Sequence, residues 1–222
     1  MSKEYSILIG GAAGEGTRMA GLMIAKLFNE CGYKIFIYDD YQSLITGGHN
    51  FSHIRASKEK IITHKQKIDF LLALNQETVD KHKSKLEKTG VIIFNSNKIA
   101  ERKGIGLPIE TIAEEFGGKP IMKNVALIGG LGKALGMEWQ IIENVFKKEI
   151  KKDIEINLKI AKNGYDRAKN ILKLGKTGQK PLPLLTGNEA IALGAVRAGL
   201  DIYIAYPLSP ATSILHYLAG RR

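Results

Sequence analysis

Two short stretches carry residue types whose spacing could do chemistry. Gly11-Ala12-Ala13-Gly14-Glu15-Gly16 differs by one methyl group, at Ala13, from the G-x-G-x-x-G loop that lets a backbone approach a diphosphate at a helix N-terminus. Asp39 and Asp40 follow a little over twenty residues later, where a dinucleotide-binding chain keeps its ribose-binding acid. The second stretch, Tyr206-Pro207-Leu208-Ser209-Pro210, holds one hydroxyl between two prolines, and Thr212 follows. From the residues alone Ser209 reads as a helix N-cap, with Pro210 at the first helical position and Ala211 beginning the helix.

The elements around these stretches alternate between strand and helix patterns. Tyr5 to Ile9 is an apolar strand leading into the glycine turn, and Thr17 to Cys31 is amphipathic and ends at Gly32. Lys34 to Tyr38 is a second strand, so a parallel, right-handed β-α-β unit is expected. A second glycine loop, Thr46-Gly47-Gly48-His49-Asn50, precedes the alternating run Phe51 to Ala56. Phe70 to Leu74 and Val91 to Phe94 are continuous apolar runs, the pattern of central strands covered on both faces, with a helix from about Gln76 to Leu86 between them. Asn124 to Leu135 and Glu138 to Phe146 read as helices, the first interrupted by Gly129, Gly130 and Gly132. Leu158, Ala161, Tyr165, Ala168 and Leu172 mark one long helix from Ile154 to Gly175. A linker to Leu184 follows. Beyond it come a helix from Gly187 to Ala198, a strand from Asp201 to Ala205 and a helix from Ala211 to Leu218. These last elements are too few to bury a core alone.

Composition narrows the classes. Of 222 residues 44% are hydrophobic and 25% charged, which are globular values. Cys31, the one cysteine, excludes a disulfide framework and any iron-sulfur or zinc site built from this chain's own thiolates. It reads as a small, buried or partly buried thiol at a helix end. His53, His64, His82 and His216 lack ligand spacing, so no metal site is expected. His49 and Arg55 read as surface or interface residues, and Glu15 as a favourable charge at the helix N-terminus. The net charge of +11 comes from lysines spread over helical faces and interrupted by acids, so neither a nucleic-acid partner nor a membrane is expected. No signal-peptide pattern precedes the first strand, and a cytoplasmic location is expected.

The glycine turn, Gly47-Gly48-His49 through Phe51 and Arg55, Asn157-Leu158 with Gly164-Tyr165, and Gly187 to Ala195 followed by Tyr206 to Thr212 together resemble the 2-oxoacid:ferredoxin oxidoreductases. The resemblance is to the version whose gamma and alpha parts are fused in one polypeptide. It implies an α/β fold: a Rossmann-like gamma domain with a mostly parallel sheet covered by helices over 1-175, a linker over 176-184, and the first β-α elements of a truncated thiamine-type domain over 185-222.

The implied reaction is oxidative decarboxylation of a 2-oxoacid to an acyl-coenzyme A, with electrons passing to ferredoxin. Thiamine diphosphate with magnesium, and the iron-sulfur clusters, are expected on partner subunits, chiefly the beta subunit, and the isolated chain is expected to be inactive. By resemblance Ser209 faces the 2-oxoacid, with Thr212 beside it. Gly11, Gly14, Glu15, Gly16, Gly47 and Gly48 are the candidates for a coenzyme A or subunit contact. Two other readings stay open: an NAD(P)-binding oxidoreductase, on the near-fingerprint and Asp39, and a non-catalytic assembly subunit.

Overall fold

The computed structural model describes residues 4–41, 48–101, 103–175 and 177–220. The chain divides into two compact units, one up to Leu182 and one from Pro183.

The first unit is built on a six-stranded sheet. Its strands are β1 (Glu4–Ala12), β2 (Lys34–Asp40), β3 (His49–Ser57), β4 (Ile68–Ala73), β5 (Leu86–Asn95) and β6 (Ile105–Leu107), in the order β2-β3-β1-β4-β5-β6. β1, β4, β5 and β6 run parallel, whereas β3 is antiparallel to both β1 and β2. The mostly parallel α/β sheet is as expected, with one correction to its first unit. β1 and β2 point the same way but do not pair, because β3 lies between them, so the expected β-α-β unit is split. Alternation in Phe51 to Ala56 identifies a strand; it carries no information about which neighbours that strand takes. β1 sits near the middle of the sheet, and Tyr5 to Gly11 are all buried, which accounts for an apolar run with no polar alternation.

Helix α1 (Thr17–Glu30) packs on one face of the sheet, where Gly21 lets it approach Ser52 and Ile54 of β3. The same face carries α4 (Asn124–Ala134), whose Gly130 lies over Leu107 and Ile93. Before α4 in the chain come α2 (Gln76–His82) and α3 (Ile109–Glu115), and after it α5 (Trp139–Glu149) and α6 (Ile154–Arg167). α2 covers the opposite face, its Thr78 lying against Gly10. There Leu8, Leu71, Val79, Phe94 and Ile99 form a compact core, with Phe51 at its margin.

Three helix expectations are corrected. α2 ends at His82 and gives way to a 3₁₀ turn, Lys83–Lys85, so that Leu86 already belongs to β5. α4 is uninterrupted. Its Gly129 abuts the Ala161 carbonyl, and Gly164 of α6 abuts that of Ala126, at contacts that leave no room for a Cβ. Of the glycines that look like helix breakers, Gly129 serves this close crossing, while Gly130 lies over Leu107 and Gly132 against Ile142. α6 stops at Arg167, and the following residues run back along α4, where Ile171 and Leu172 donate their N–H groups to Ala134 O at 2.9 and 3.0 Å. The stretch expected as a linker is tied to the end of α1: Thr177 Oγ1 donates to Gly32 O at 3.0 Å and Asn29 Nδ2 donates to Leu182 O at 2.8 Å.

The second unit contains α7 (Gly187–Arg197) and α8 (Thr212–Ala219), which pack on each other. Thr186 and Glu189 form a reciprocal capping box at the start of α7. The strand expected over Asp201 to Ala205 does not form; the segment is irregular and exposed, with no neighbouring strand among the described residues. Among this unit's described residues Ala192 alone is buried. No described helix is long and apolar enough to cross a membrane.

Candidate functional site

The glycine turn is assembled from three parts of the chain. β1 runs through Gly11 to Ala12, the chain reverses at Gly14 (φ 88°), and Gly16 (φ 76°) stands at the N-cap of α1. Both positive φ values favour glycine. Ala13 donates its N–H to Gly48 O at 3.2 Å, which joins the first glycine loop to the second. Gly47 lies outside the described residues. A Cβ on Gly16 would meet Ile121 Cδ1 at 2.9 Å, whereas the space beside Gly14 is open.

Glu15 holds the turn. Its Oε2 accepts from Ala12 N at 2.8 Å, its own N–H donates to Ala12 O at 3.1 Å, and its Oε1 accepts from Lys123 Nζ at 2.8 Å. Lys123 also reaches Glu110 Oε1 at 3.3 Å. Burial acts against the charge on Lys123, but the contacts with Glu15 and Glu110 outweigh it and hold its pKa above the ordinary lysine value. Asn124 Nδ2 donates to Glu15 O at 3.1 Å. The start of α4 therefore clamps the start of α1. Glu15 is a structural bridge rather than a charge in the first turn of α1, which holds no acidic residue. Lys123, Asn124 and Glu110 escape sequence reasoning because they lie about a hundred residues away and show no local pattern.

With no side-chain cap and no acid in its first turn, the α1 N-terminus keeps backbone donors available beside an open glycine. Such a donor set suits a phosphate. Asp39 does not serve this site as a ribose acid would. Its Oδ1 accepts from Ser52 Oγ at 2.6 Å, its Oδ2 is 3.5 Å from Arg18 Nε, and β3 separates its strand from β1.

Of the two residues expected at a surface or interface, His49 is buried and Arg55 is half-buried. His49 Nε2 lies 2.8 Å from His82 Nε2, and both rings pack against Phe51. Arg55 Nη2 pairs with Glu4 Oε2 at 2.7 Å. His53 is buried with Nε2 2.7 Å from Ser6 Oγ. Burial lowers the pKa of all three histidines, to about 4 for His53 and for His82. Among the described residues no group of three or more His, Cys, Asp or Glu side chains could hold a metal ion. Cys31 is half-buried at the end of α1.

Ser209 and Thr212 lie in the second unit. The cap of α8 is Ala211 without a side-chain bond, so Ser209 is not the N-cap; Pro210 O instead accepts from Asn188 Nδ2 at 2.9 Å and Ser213 Oγ at 3.1 Å. Thr212 is the first residue of α8, and Ser209 is exposed. The structure thus gathers Gly11, Gly14, Glu15, Gly16 and Gly48 into one site and leaves Ser209 and Thr212 to the other unit.

The split sheet and its joined glycine loops define an α/β domain with an anion-competent turn, and comparison with known proteins gives its family. Residues 6–167 match the family model described as pyruvate ferredoxin/flavodoxin oxidoreductase, and the chain belongs to that family. It is similar to 2-oxoglutarate synthase subunit KorC of Archaeoglobus fulgidus, with 29% identity over 78% of this chain and 92% of that one. It is also similar to 2-oxoacid:ferredoxin oxidoreductase 2 subunit alpha of Aeropyrum pernix, with 22% identity over 97% of this chain. The chain spans 42% of the length of that relative. Among solved structures, 2-oxoglutarate:ferredoxin oxidoreductase from Magnetococcus marinus, with 2-oxoglutarate, coenzyme A and succinyl-CoA bound, shares the fold. Its TM-score is 0.84 at 23% identity, covering 100% of this chain and 42% of that one.

Proposed function

We propose that the chain is a subunit of a 2-oxoacid:ferredoxin oxidoreductase, an assembly that oxidatively decarboxylates a 2-oxoacid to its acyl-coenzyme A and passes the electrons to ferredoxin. The observation that carries this reading is the clamped glycine turn, with open backbone donors at the α1 N-terminus, in a chain of this family. Residues 1-175 act as the gamma-type domain and 185-222 as the start of an alpha-type, pyrimidine-binding domain. The exposed apolar side chains of the second unit support the latter, since Ile204 and Tyr206 are 90% and 84% exposed. Apolar surface on that scale calls for a neighbour.

Thiamine diphosphate with magnesium, on the beta subunit, supplies the electron sink for decarboxylation, and iron-sulfur clusters there carry the electrons one at a time. The residues of this chain position the reactants. Backbone N–H groups of the first turn of α1 bind a phosphate of coenzyme A beside Gly14 and Gly16, and the Glu15–Lys123 bridge holds the turn in the shape that presents them. In the second unit the Ser209 hydroxyl donates to a 2-oxoacid oxygen, with Thr212 beside it. The protein works in the cytoplasm.

The test is reduction of ferredoxin, or of a viologen dye, by a reconstituted complex given a panel of 2-oxoacids with coenzyme A. Turnover should require this chain and be absent from the chain alone. Oxidation of a 2-oxoacid by the purified chain without any partner would overturn the proposal, and a complex that turns over equally well with Ser209→Ala and with the glycine turn altered would mark the chain as an assembly subunit.

A further inference from the structure

The sheet has helices along one face, and on the other α2 lies over the central strands, its His82 reaching Phe51 of β3. Between the end of α2 and the loop carrying His64, beside β3 and β2, a cleft of about 480 Å³ remains among the described residues. Its floor is aromatic. Tyr38 of β2 stacks on His64 at 5.1 Å between ring centres and 21° between planes, and lies 6.1 Å from Phe51 of β3. Its rim is cationic, formed by Lys65, Lys67 and Lys85, with Asp40 as the single acidic lining residue.

The lysines here differ from many on the helical surfaces. Lys81, Lys119, Lys147 and Lys162 each pair with an acid close at hand. In the cleft Lys65 is shared between Glu4 at 3.3 Å and Glu87 at 3.9 Å, while Lys67 and Lys85 make no ion pair among the described residues. Lys85 faces the His82 ring at 3.4 Å, and that ring is held neutral by burial. Two ammonium groups thus border an aromatic floor without an ion pair among the described residues, and Asp40 is the one carboxylate in the lining. Apolar exposure continues outside the cleft, since Tyr41, next after Asp40, is 68% exposed, and Ile62, on the loop that brings in His64, is 79% exposed. β2 is also an edge strand, with one side of its backbone unpaired in the sheet.

We propose that this cleft and its exposed rim are a docking surface for an acidic segment of another protein subunit, carrying apolar side chains into the cleft and carboxylates to Lys67 and Lys85. An apolar centre with a charged rim is the anatomy of a protein interface. A small anion would use the lysines but would leave Tyr41, Ile62 and the β2 edge uncovered. The inference rests on the reading that the chain works inside a multisubunit oxidoreductase, and names the face by which it is held there.

The experiment is lysine labelling with an amine-reactive acylating reagent, read by mass spectrometry, on the isolated chain and on the complex purified from the native cells. Lys67 and Lys85 should be labelled roughly five-fold or more slowly in the complex, and Lys67→Glu with Lys85→Glu should weaken assembly about ten-fold or more, because rim charges set interface complementarity. The variant's unfolding midpoint should match the wild type, since both lysines are exposed. A complex in which Lys67 and Lys85 label as fast as in the isolated chain overturns this proposal alone. So does protection that nuclease treatment removes, which would make the occupant a nucleic acid. A chain that purifies from the native cells without any partner overturns both this proposal and the assembly on which it rests.

Discussion

Lys123 and Glu15, 108 residues apart in sequence, meet at 2.8 Å with both side chains largely withdrawn from solvent. This pair fixes the glycine turn, because the other oxygen of Glu15 is bound to Ala12 N in the same turn. Replacing Lys123 with Met would strand the Glu15 carboxylate, while Glu110 would keep its ion pair with Lys98 at 2.8 Å. The expected loss of stability is about 2–3 kcal/mol, at or below the range for breaking a buried pair because solvent reaches Glu110. Urea unfolding checks it. The double variant Glu15→Gln, Lys123→Met should recover part of the loss, since it removes both the cation and the stranded carboxylate.

Gly129→Ala and Gly164→Ala should destabilise the protein, although alanine is the better helix former by about 1 kcal/mol. Each new methyl group would collide with a carbonyl oxygen of the facing helix, Ala161 for the first and Ala126 for the second. A net loss of about 1–3 kcal/mol is expected from overpacking. Thermal unfolding of the two single variants tests the sign, which propensity alone would place the other way.

Stability should fall on acidification from near pH 6.5 towards about 4. Burial lowers the pKa of His53 and of His82 to about 4. Between that value and the unfolded value near 6.5 the unfolded chain binds more protons, so stability rises with pH across this window and is lost as pH falls through it. Each ring contributes a slope of roughly 1.4 kcal/mol per pH unit there. His82→Gln should flatten the slope measured by denaturant titration at several pH values.

Ile204→Ser and Tyr206→Ser should leave the unfolding midpoint of the isolated chain nearly unchanged, because both side chains are exposed. Binding to catalytic subunits should weaken markedly, because the apolar run Ile202 to Leu208 is read as surface that awaits a neighbour. Sedimentation of the variants with and without the partner subunits makes the comparison.

These residues also mark what could be read ahead of the structure. The β1, turn and α1 corner was legible because an apolar run, positive-φ glycines and helical spacing all agree on it. The insertion of β3 between β1 and β2 was not, since alternation identifies strands and says nothing about their order. The glycines of α4 misled, because propensity treats as weakness what the helix's close packing requires. The Asp201 to Ala205 run has a strand's pattern and forms none, as a strand needs a partner to bond. Lys123, Glu110 and the His49–His82 pair left no local signature, for tertiary pairing over such separations is invisible in spacing.

The proposed contact between the backbone of the glycine turn and a phosphate of coenzyme A is tested most directly at Gly14. Gly14→Asp and Gly14→Asn separate charge from shape, because both residues tolerate the left-handed backbone found at Gly14 and differ mainly in charge. In the reconstituted complex Gly14→Asp should raise KM for coenzyme A about ten-fold or more while Gly14→Asn changes it only about two- to three-fold, with KM for the 2-oxoacid unchanged in both. Equal values of KM for coenzyme A in the two variants and the wild type would contradict the proposed contact.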